Sequence, residues 1–479
     1  MNKRIYWLKL FLIIKKINIS IDYLKNLVYK YKIDIHILFH IKNEKIFFKI
    51  DVKINTLKEG SINMDRRLDD IKVILKKYNQ EHLLNNYSKL DDNKKEELLN
   101  EIENINFELI KSLYDNTKKE ITQNQDEITP MEYLDKYKLN EKYKYYENIG
   151  KKTIKDGQLA VVTMAGGQGT RLGHDGPKGT YDIGLASHKS LFELLSDNLK
   201  EEGKKYGVTI PWFIMTSREN NKETVDFFEK HKYFGYQKNK NIFFFIQGEL
   251  PMIDTEGKIL IGEDGLIKLA ADGHGGIYES LVKSGMTEQM RHMGVKWVFI
   301  GGVDNCLVKM VDPVLMGIAI DKGVTVACKS VVKANPHEKV GVFCKRNGRP
   351  NVIEYSEISD EMAEATDENG ELLYGESHIL CNLFSIDAVE RMGAEPLPYH
   401  AAYKKAKYLD KDGNLIEPES PNAYKFEAFL FDAFGEVDDM AILRVKREEE
   451  FAPVKNNDTV GVDCPKTARE LYKKFYHLN

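Results

Sequence analysis

The sequence predicts an α/β protein: a doubly wound, mostly parallel sheet with an N-terminal helical segment before it and a strand-rich portion towards its end. Three observations carry this. The apolar run Leu159–Met164 stops abruptly at Ala165-Gly166-Gly167, as a strand does when it leaves a sheet core for a tight loop. Apolar runs then alternate with helical patterns, through Leu191–Leu199, Trp212–Met215, Thr224–Phe228, Ile242–Ile246 and Val295–Ile300; such alternation builds a parallel sheet covered on both faces. From Gly323 the pattern turns strand-rich, with a hairpin centred on Asn347-Gly348, a favoured pair for a two-residue turn.

Residues 1–63 stand apart. They hold 13 Lys or Arg against 5 Asp or Glu, while the other residues hold 57 against 69. Up to Glu59 there is no Gly, Ala or Pro, and Ile, Lys, Asn, Tyr and Phe dominate, as in translated AT-rich non-coding DNA. Lys58-Glu59-Gly60 can be encoded by a ribosome-binding sequence a few codons before Met64. The expectation is a mis-assigned start, with 1–63 not native, 64–150 a helical segment and 151–479 the catalytic domain. A basic helix on a membrane surface is the alternative; the apolar stretch Ile5–Ile14 is interrupted by Lys9 and too short for a span.

From Met64 the spacing of Leu68, Ile71, Ile74 and Leu75, then of Leu98, Ile102, Ile105, Leu109 and Leu113, is helical, with Asn93 and Glu96 spaced as a capping box. Lys- and Tyr-rich sequence over Thr129–Ile149 reads as a surface connection. Five cysteines without C-x-x-C spacing fit neither a disulfide framework nor a zinc site and point to a reducing cytosol. A net charge of -4 gives no electrostatic reason to expect nucleic acid.

The loop after Met164, AGGQGTRLGHDGPKGT, is made for an anion. Gly166, Gly167 and Gly169 are expected to turn with positive φ and to expose N–H groups as a nest, with Arg171 and Lys178 as flanking cations. Two known phosphate loops are excluded. A dinucleotide fingerprint needs Gly at its sixth place, where Leu172 stands, and a kinase-type loop needs Ser or Thr after its Lys, where Gly179 stands. The strand, AGGQGTRLG and PKG together resemble the sugar-nucleotide pyrophosphorylases, in particular the UDP-N-acetylglucosamine pyrophosphorylase branch of the UDP-sugar pyrophosphorylase family. The resemblance runs from about Met64 to Leu471 and implies a Rossmann-like, glycosyltransferase-A-like nucleotidyltransferase. A helical opening at Met64 also resembles the family's start.

Further motifs extend it. Gln247 ends a strand in QG-x-LP; a glutamine there donates and accepts together, and the resemblance places it on uracil. Asp272-Gly-His-Gly-Gly-Ile-Tyr278 looks like the family's DG-x-GG-x-Y loop, in which Gly276 allows a flat ring to pack closely; His274 has no paired base or nucleophile in sight and reads as part of the loop. Asp304, in the family-like VDN after Trp297–Gly302, is the expected Mg²⁺ ligand, since one strand-end carboxylate plus phosphate oxygens and waters suits that ion. Glu354 opens an EYSE motif whose glutamate, by resemblance, accepts from sugar hydroxyls, with Gly341 giving close approach. Lys425, by resemblance, faces phosphate. Asp432, seven residues on, is expected on the same helical face as a second metal ligand or a lysine partner. Arg447 and Lys455 in REEEFAPVKN are weaker phosphate candidates.

The resemblance implies a uridylyltransferase that joins UTP and a sugar 1-phosphate into a UDP-sugar and pyrophosphate, with Mg²⁺. No Ser-His-Asp set, Cys-His pair or carboxylate dyad is recognisable, and in-line transfer to phosphorus needs none. A nucleotide-sugar-binding protein without catalysis would be favoured by loss of Arg171, Lys178 or Asp304, and all three are present. The chain departs from the family in one place. Where the family has GNIANHFF, with two asparagines that meet the sugar, this sequence has Ser377-His-Ile-Leu-Cys-Asn-Leu-Phe384, so His378 and Cys381 replace them. Neither offers the amide's paired donor and acceptor, although Asn382 is one place along.

Overall fold

The computed structural model describes residues 34–42, 45–53, 59–119 and 126–478. It divides into two compact units, 1–104 and 105–479. In the first, β1 (Asp34–Lys42) and β2 (Lys45–Lys53) form an antiparallel pair, and a helix spans Glu59–Lys77, running through Met64. A second helix, Asp92–Asn104, buries Leu98, Leu99 and Ile102. Its first turn is capped by Asp91, whose carboxylate accepts from Lys94 N–H, and not by the expected Asn93–Glu96 box. Glu96 pairs with Arg67 instead. The reading of residues 1–33 lies outside the described residues.

The second unit is the α/β domain. Its sheet contains β3 (Ile128–Pro130), β4 (Leu134–Asp135), β5 (Leu159–Met164), β6 (Trp212–Thr216) and β7 (Ile242–Ile246). The short strands β8 (Glu249–Pro251), β9 (Ile253–Asp254) and β10 (Leu269–Ala271) lie outside it. The sheet resumes with β11 (Trp297–Gly302), β12 (Val326–Val332), β13 (Val342–Arg346), β14 (Arg349–Ile353) and β15 (Glu376–Ser385). After these come β16 (His400–Lys404), β17 (Tyr408–Leu409), β18 (Leu415–Ile416), β19 (Ala423–Glu427) and β20 (Ala441–Arg444).

The main path runs β4-β20-β12-β15-β11-β5-β6-β7, with β13 and β14 branching from β15 and β3 joining β13. β11, β5, β6 and β7 are parallel, and so are β12, β20 and β4; β15 is the antiparallel strand between the two groups. Side-chain alternation splits the core in two: Val161, Trp212, Ile214 and Phe299 face one layer of helices, and Ala160, Val162, Phe213 and Ile300 the other. That is the expected doubly wound sheet. The Thr129–Ile149 stretch is not a surface connection throughout. A helix over Glu141–Lys155 buries Tyr146, Gly150, Thr153 and Ile154 against the helix Pro313–Lys322. A β-carbon at Gly150 would lie 1.9 Å from Pro313 O, so glycine sets this close approach; Lys142, Lys144 and Tyr145 lie exposed on the helix's outer face.

Strand order positions the site. After β5 the chain moves outward to β6 and β7, then returns to β11 on the other side of β5. The chain thus leaves β5 and β11 in opposite directions, which opens a crevice at their carboxyl ends, where open parallel sheets bind ligands. Gly302 pairs with Met164 there, so the glycine loop and the VDN turn emerge side by side.

Candidate active site

The glycine loop folds back on itself: Gly169 N–H donates to Gly176 O and Lys178 N–H to Gly167 O. Positive φ occurs at Gly173 and Gly176, not at Gly166, Gly167 or Gly169 as expected. Space explains two of these glycines instead. A β-carbon at Gly166 would lie 2.5 Å from Gln247 Oε1, and one at Gly169 would strike His174; one at Gly167 would meet nothing within 4 Å, leaving that face open to a ligand. Gln247 itself is held at the end of β7 by its N–H to Thr216 O. Gly166, Gly167 and Gln247, remote in sequence, therefore form one wall.

Arg171 lies exposed on a short 3-10 turn, with no ion pair among the described residues. Lys178 is half-buried and its Nζ lies 3.1 Å from Asp304 Oδ2. Burial alone would raise the Asp304 carboxyl, but Lys178 and Lys455 outweigh it and hold it below the usual range. Asp304 borders a cleft with Gly302, His378, Leu380, Cys381 and Lys455. Its backbone is fixed by the neighbouring Asn305, which donates to Glu450 O and accepts from Leu307 and Ala452 N–H, and by Val454 N–H donating to Asp304 O.

No cluster of three or more His, Cys, Asp or Glu side chains able to cage a metal exists among the described residues. A cation here would be of the kind that one carboxylate holds jointly with substrate oxygens and water, a requirement for Mg²⁺ that the chemistry of Asp304 fits. Asp432 does not. The Lys425–Asp432 segment is not a helix: Lys425 lies in β19 and Asp432 in a 3-10 turn, so the expected common face is absent. The Phe-rich spacing is satisfied by a strand entering a tight turn. Asp432 Oδ2 accepts from Phe429 N–H at 2.8 Å and pairs with His400 Nε2 at 3.1 Å. Lys425 pairs with Glu427, 2.7 Å away, and Arg447 is taken by Glu338. His400 and Glu427 escaped the sequence reading, since neither stands in a pattern that marks it; they sit opposite each other in the β16–β19 ladder.

Glu354 follows β14 and is brought close to Gly341, where a β-carbon would lie 3.0 Å from its Oε1. Burial raises the Glu354 carboxyl, reinforced by Glu357 and Asp432. Gly276 is buried, and the room left by its missing β-carbon is filled by the Asp272 carboxylate, not left for a ring. His274 Nδ1 accepts from Leu430 N–H, and burial lowers its pKa to about 4, so it is a neutral brace between two loops.

His378 differs from expectation in where it points. Its ring lies edge-on to Phe343, Phe431 and Phe434, its Nε2 pairs with Asn382 Oδ1 at 2.9 Å, and burial lowers its pKa to about 4. Asn382 is fully buried: its Oδ1 also accepts from Cys328 Sγ and its Nδ2 donates to Ile300 O. The amide one place along is thus spent inside the core. The cause is a bulge in β15 against β12, with Leu380 at φ 52°, which breaks the strand's alternation.

Comparison with known proteins agrees with this fold. The profile of the family described as UTP--glucose-1-phosphate uridylyltransferase matches residues 105–463. The chain is 37% identical over 429 residues to the UDP-N-acetylglucosamine pyrophosphorylase of Saccharomyces cerevisiae, covering 85% of this chain and 90% of that protein. It is 36% identical to UDP-N-acetylglucosamine diphosphorylase 2 of Arabidopsis thaliana, over 84% and 82% of the two chains. The crystal structure of the uridine diphosphate N-acetylglucosamine pyrophosphorylase of Trypanosoma brucei superposes with a TM-score of 0.72 at 31% identity, covering 85% of this chain and 84% of that one. Built on that fold, with a glycine loop whose Lys178 meets Asp304, the chain belongs to the UTP--glucose-1-phosphate uridylyltransferase family and is a uridylyltransferase.

Proposed function

We propose that this enzyme joins UTP to N-acetylglucosamine 1-phosphate or to a hexose 1-phosphate such as glucose 1-phosphate, releasing pyrophosphate. A phosphate oxygen of the sugar phosphate attacks the α-phosphorus of UTP. The new P–O bond forms as the bond from the α-phosphorus to the bridging oxygen breaks, and pyrophosphate leaves with that electron pair. Gly166, Gly167 and Arg171 hold the departing pyrophosphate, Gln247 meets the uracil, and Lys178 and Lys425 neutralise charge on the α-phosphate and the incoming phosphate. Asp304 would hold Mg²⁺, which would supply further charge neutralisation when bound. Each such group contributes about 3 kcal/mol at the transition state, the scale of one oxyanion donor. Lys425 must exchange Glu427 for phosphate as substrate enters.

The observation that carries this reading is the Lys178–Asp304 pair, which joins the anion loop to the carboxylate at adjacent strand ends. For the sugar, the His378–Asn382 pair supports relaxed specificity, because the Asn382 amide is spent on His378 and Ile300 O where the resembled family's motif has two asparagines. Five free, buried cysteines suit a reducing cytosol, and no described helix is long and apolar enough to cross a membrane. Incubation with UTP, Mg²⁺ and a panel of sugar 1-phosphates, following pyrophosphate release, tests the proposal; no release with any sugar phosphate would refute it.

A further inference from the structure

The Asp272 carboxyl plays no part in the reaction just described, yet its surroundings are unusual. The residue is 3% exposed, and its Oδ1 has no hydrogen-bond partner. A buried, unpaired carboxylate costs several kcal/mol, so such a group persists only where its neighbours are fixed for another reason. Here the neighbours are two glycines from separate segments. A β-carbon at Gly248 would lie 2.1 Å from Oδ2, and one at Gly276 would lie 2.5 Å from both oxygens. The same residue's backbone ties the segments together: its N–H donates to Gly248 O, and Ala428 N–H, at the end of β19, donates to its carbonyl. Gly248 directly follows Gln247, whose side chain packs over Gly166 of the anion loop.

We infer that Asp272 is a positioning residue for the uridine half of the substrate, seating the Gln247–Gly248 loop and the Gly273–Gly276 turn against each other from behind. The inference rests on the nucleotide-binding reading above. The seat suits the neutral acid. Burial, then Glu279 and Glu249, raise the Asp272 carboxyl to about 7, against the residue's own backbone N–H and, more weakly, Lys283. Of the groups around it, Glu279 is paired with Lys283 and Glu249 with Arg218, and burial keeps the Tyr399 phenol neutral. Lys283 and Arg218 are thus engaged by other carboxylates and not by Asp272. Ionisation would press a charge against two glycine α-carbons with one oxygen unpaired, and opening the packed loops to water is the available relief. Nucleotide binding needs those loops closed and so favours the protonated form.

The test is equilibrium binding of UDP-glucose, without pyrophosphate, to the full chain at about pH 6 and about pH 8. The diphosphate diester of this probe does not titrate in that interval. For the unaltered protein the Kd should rise about tenfold across it, as expected for one group of pKa about 7 that must be protonated. Asp272→Asn, a permanently neutral isostere, should bind at low pH within about twofold of the unaltered protein and show no rise. A flat Kd in the unaltered protein, or the same rise in Asp272→Asn, overturns the inference. Thermal melting reports whether the variant folds; if it does not, the slope of the unaltered protein decides alone. Absence of UDP-glucose binding at both pH values overturns the nucleotide-binding reading as well.

Discussion

Lys178 Nζ lies 3.1 Å from Asp304 Oδ2, although 126 residues separate them in the chain. The contact joins the loop leaving β5 to the turn leaving β11, and both side chains are largely withdrawn from solvent. Each is therefore the other's counter-charge in this structure.

Lys178→Ala and Asp304→Ala should each lower turnover about a hundredfold or more while the protein stays folded, because both act on charge that develops during transfer. Asp304→Ala should also blunt the Mg²⁺ dependence. Steady-state rates over a metal titration check this; an unchanged titration would remove Asp304 from the metal site.

Gly166 and Gly167 are neighbours with different tasks. A methyl at Gly166 meets the Gln247 amide, whereas one at Gly167 meets only open space. Gly166→Ala should push Gln247 aside and raise the KM for UTP about tenfold, with stability changed by less than about 1 kcal/mol. Gly167→Ala should leave stability unaltered and act only where ligand approaches. Chemical denaturation beside UTP kinetics separates the two.

The specificity constants for glucose 1-phosphate and N-acetylglucosamine 1-phosphate should lie within about tenfold of each other. An intact polar pairing would exclude the unmatched sugar far more strongly. A preference for the acetamido sugar above about a hundredfold would refute the relaxed pocket inferred from His378 and Cys381.

Lys329 is fully buried and bridges Asp312 and Glu450, with Lys136 contacting the same two carboxylates. Lys329→Ala leaves buried charge uncompensated and should cost about 3–5 kcal/mol by urea denaturation. Burial alone would raise the Asp312 carboxyl, but Lys329 and Lys136 hold it far below its usual value. The sign follows: that stabilisation is complete above the unfolded carboxyl's pKa of about 4 and is lost as pH falls below it. Denaturation at about pH 7 and about pH 3 should show the unaltered protein losing more stability on acidification than Lys329→Ala does.

The fold was legible because it is written in short-range pattern. Leu159–Met164, Trp212–Met215 and Ile242–Ile246 are apolar runs bounded by turn residues, and each forms a strand of the sheet. Asn347-Gly348 closes the hairpin of β13 and β14, with Asn347 and Gly348 both at positive φ. The helix Glu141–Lys155 was obscured because its stretch is so rich in Lys and Tyr that composition outweighed periodicity, although Tyr146 is buried.

Where the singled-out residues fall, at strand ends, was legible too, but their partners were not. The sequence by itself determined the sheet and the placing of the glycine loop and Asp304 at its strand ends, since glycine spacing and apolar runs are local properties of the chain. Only the tertiary structure decided that Lys425 sits on a strand beside Glu427, that Asp432 is spent on His400 and Phe429, and that Asn382 faces the core. The reason is physical. A side chain's direction depends on alternation and on bulges such as the one at Leu380, and its free valences depend on which distant segment the sheet order brings against it.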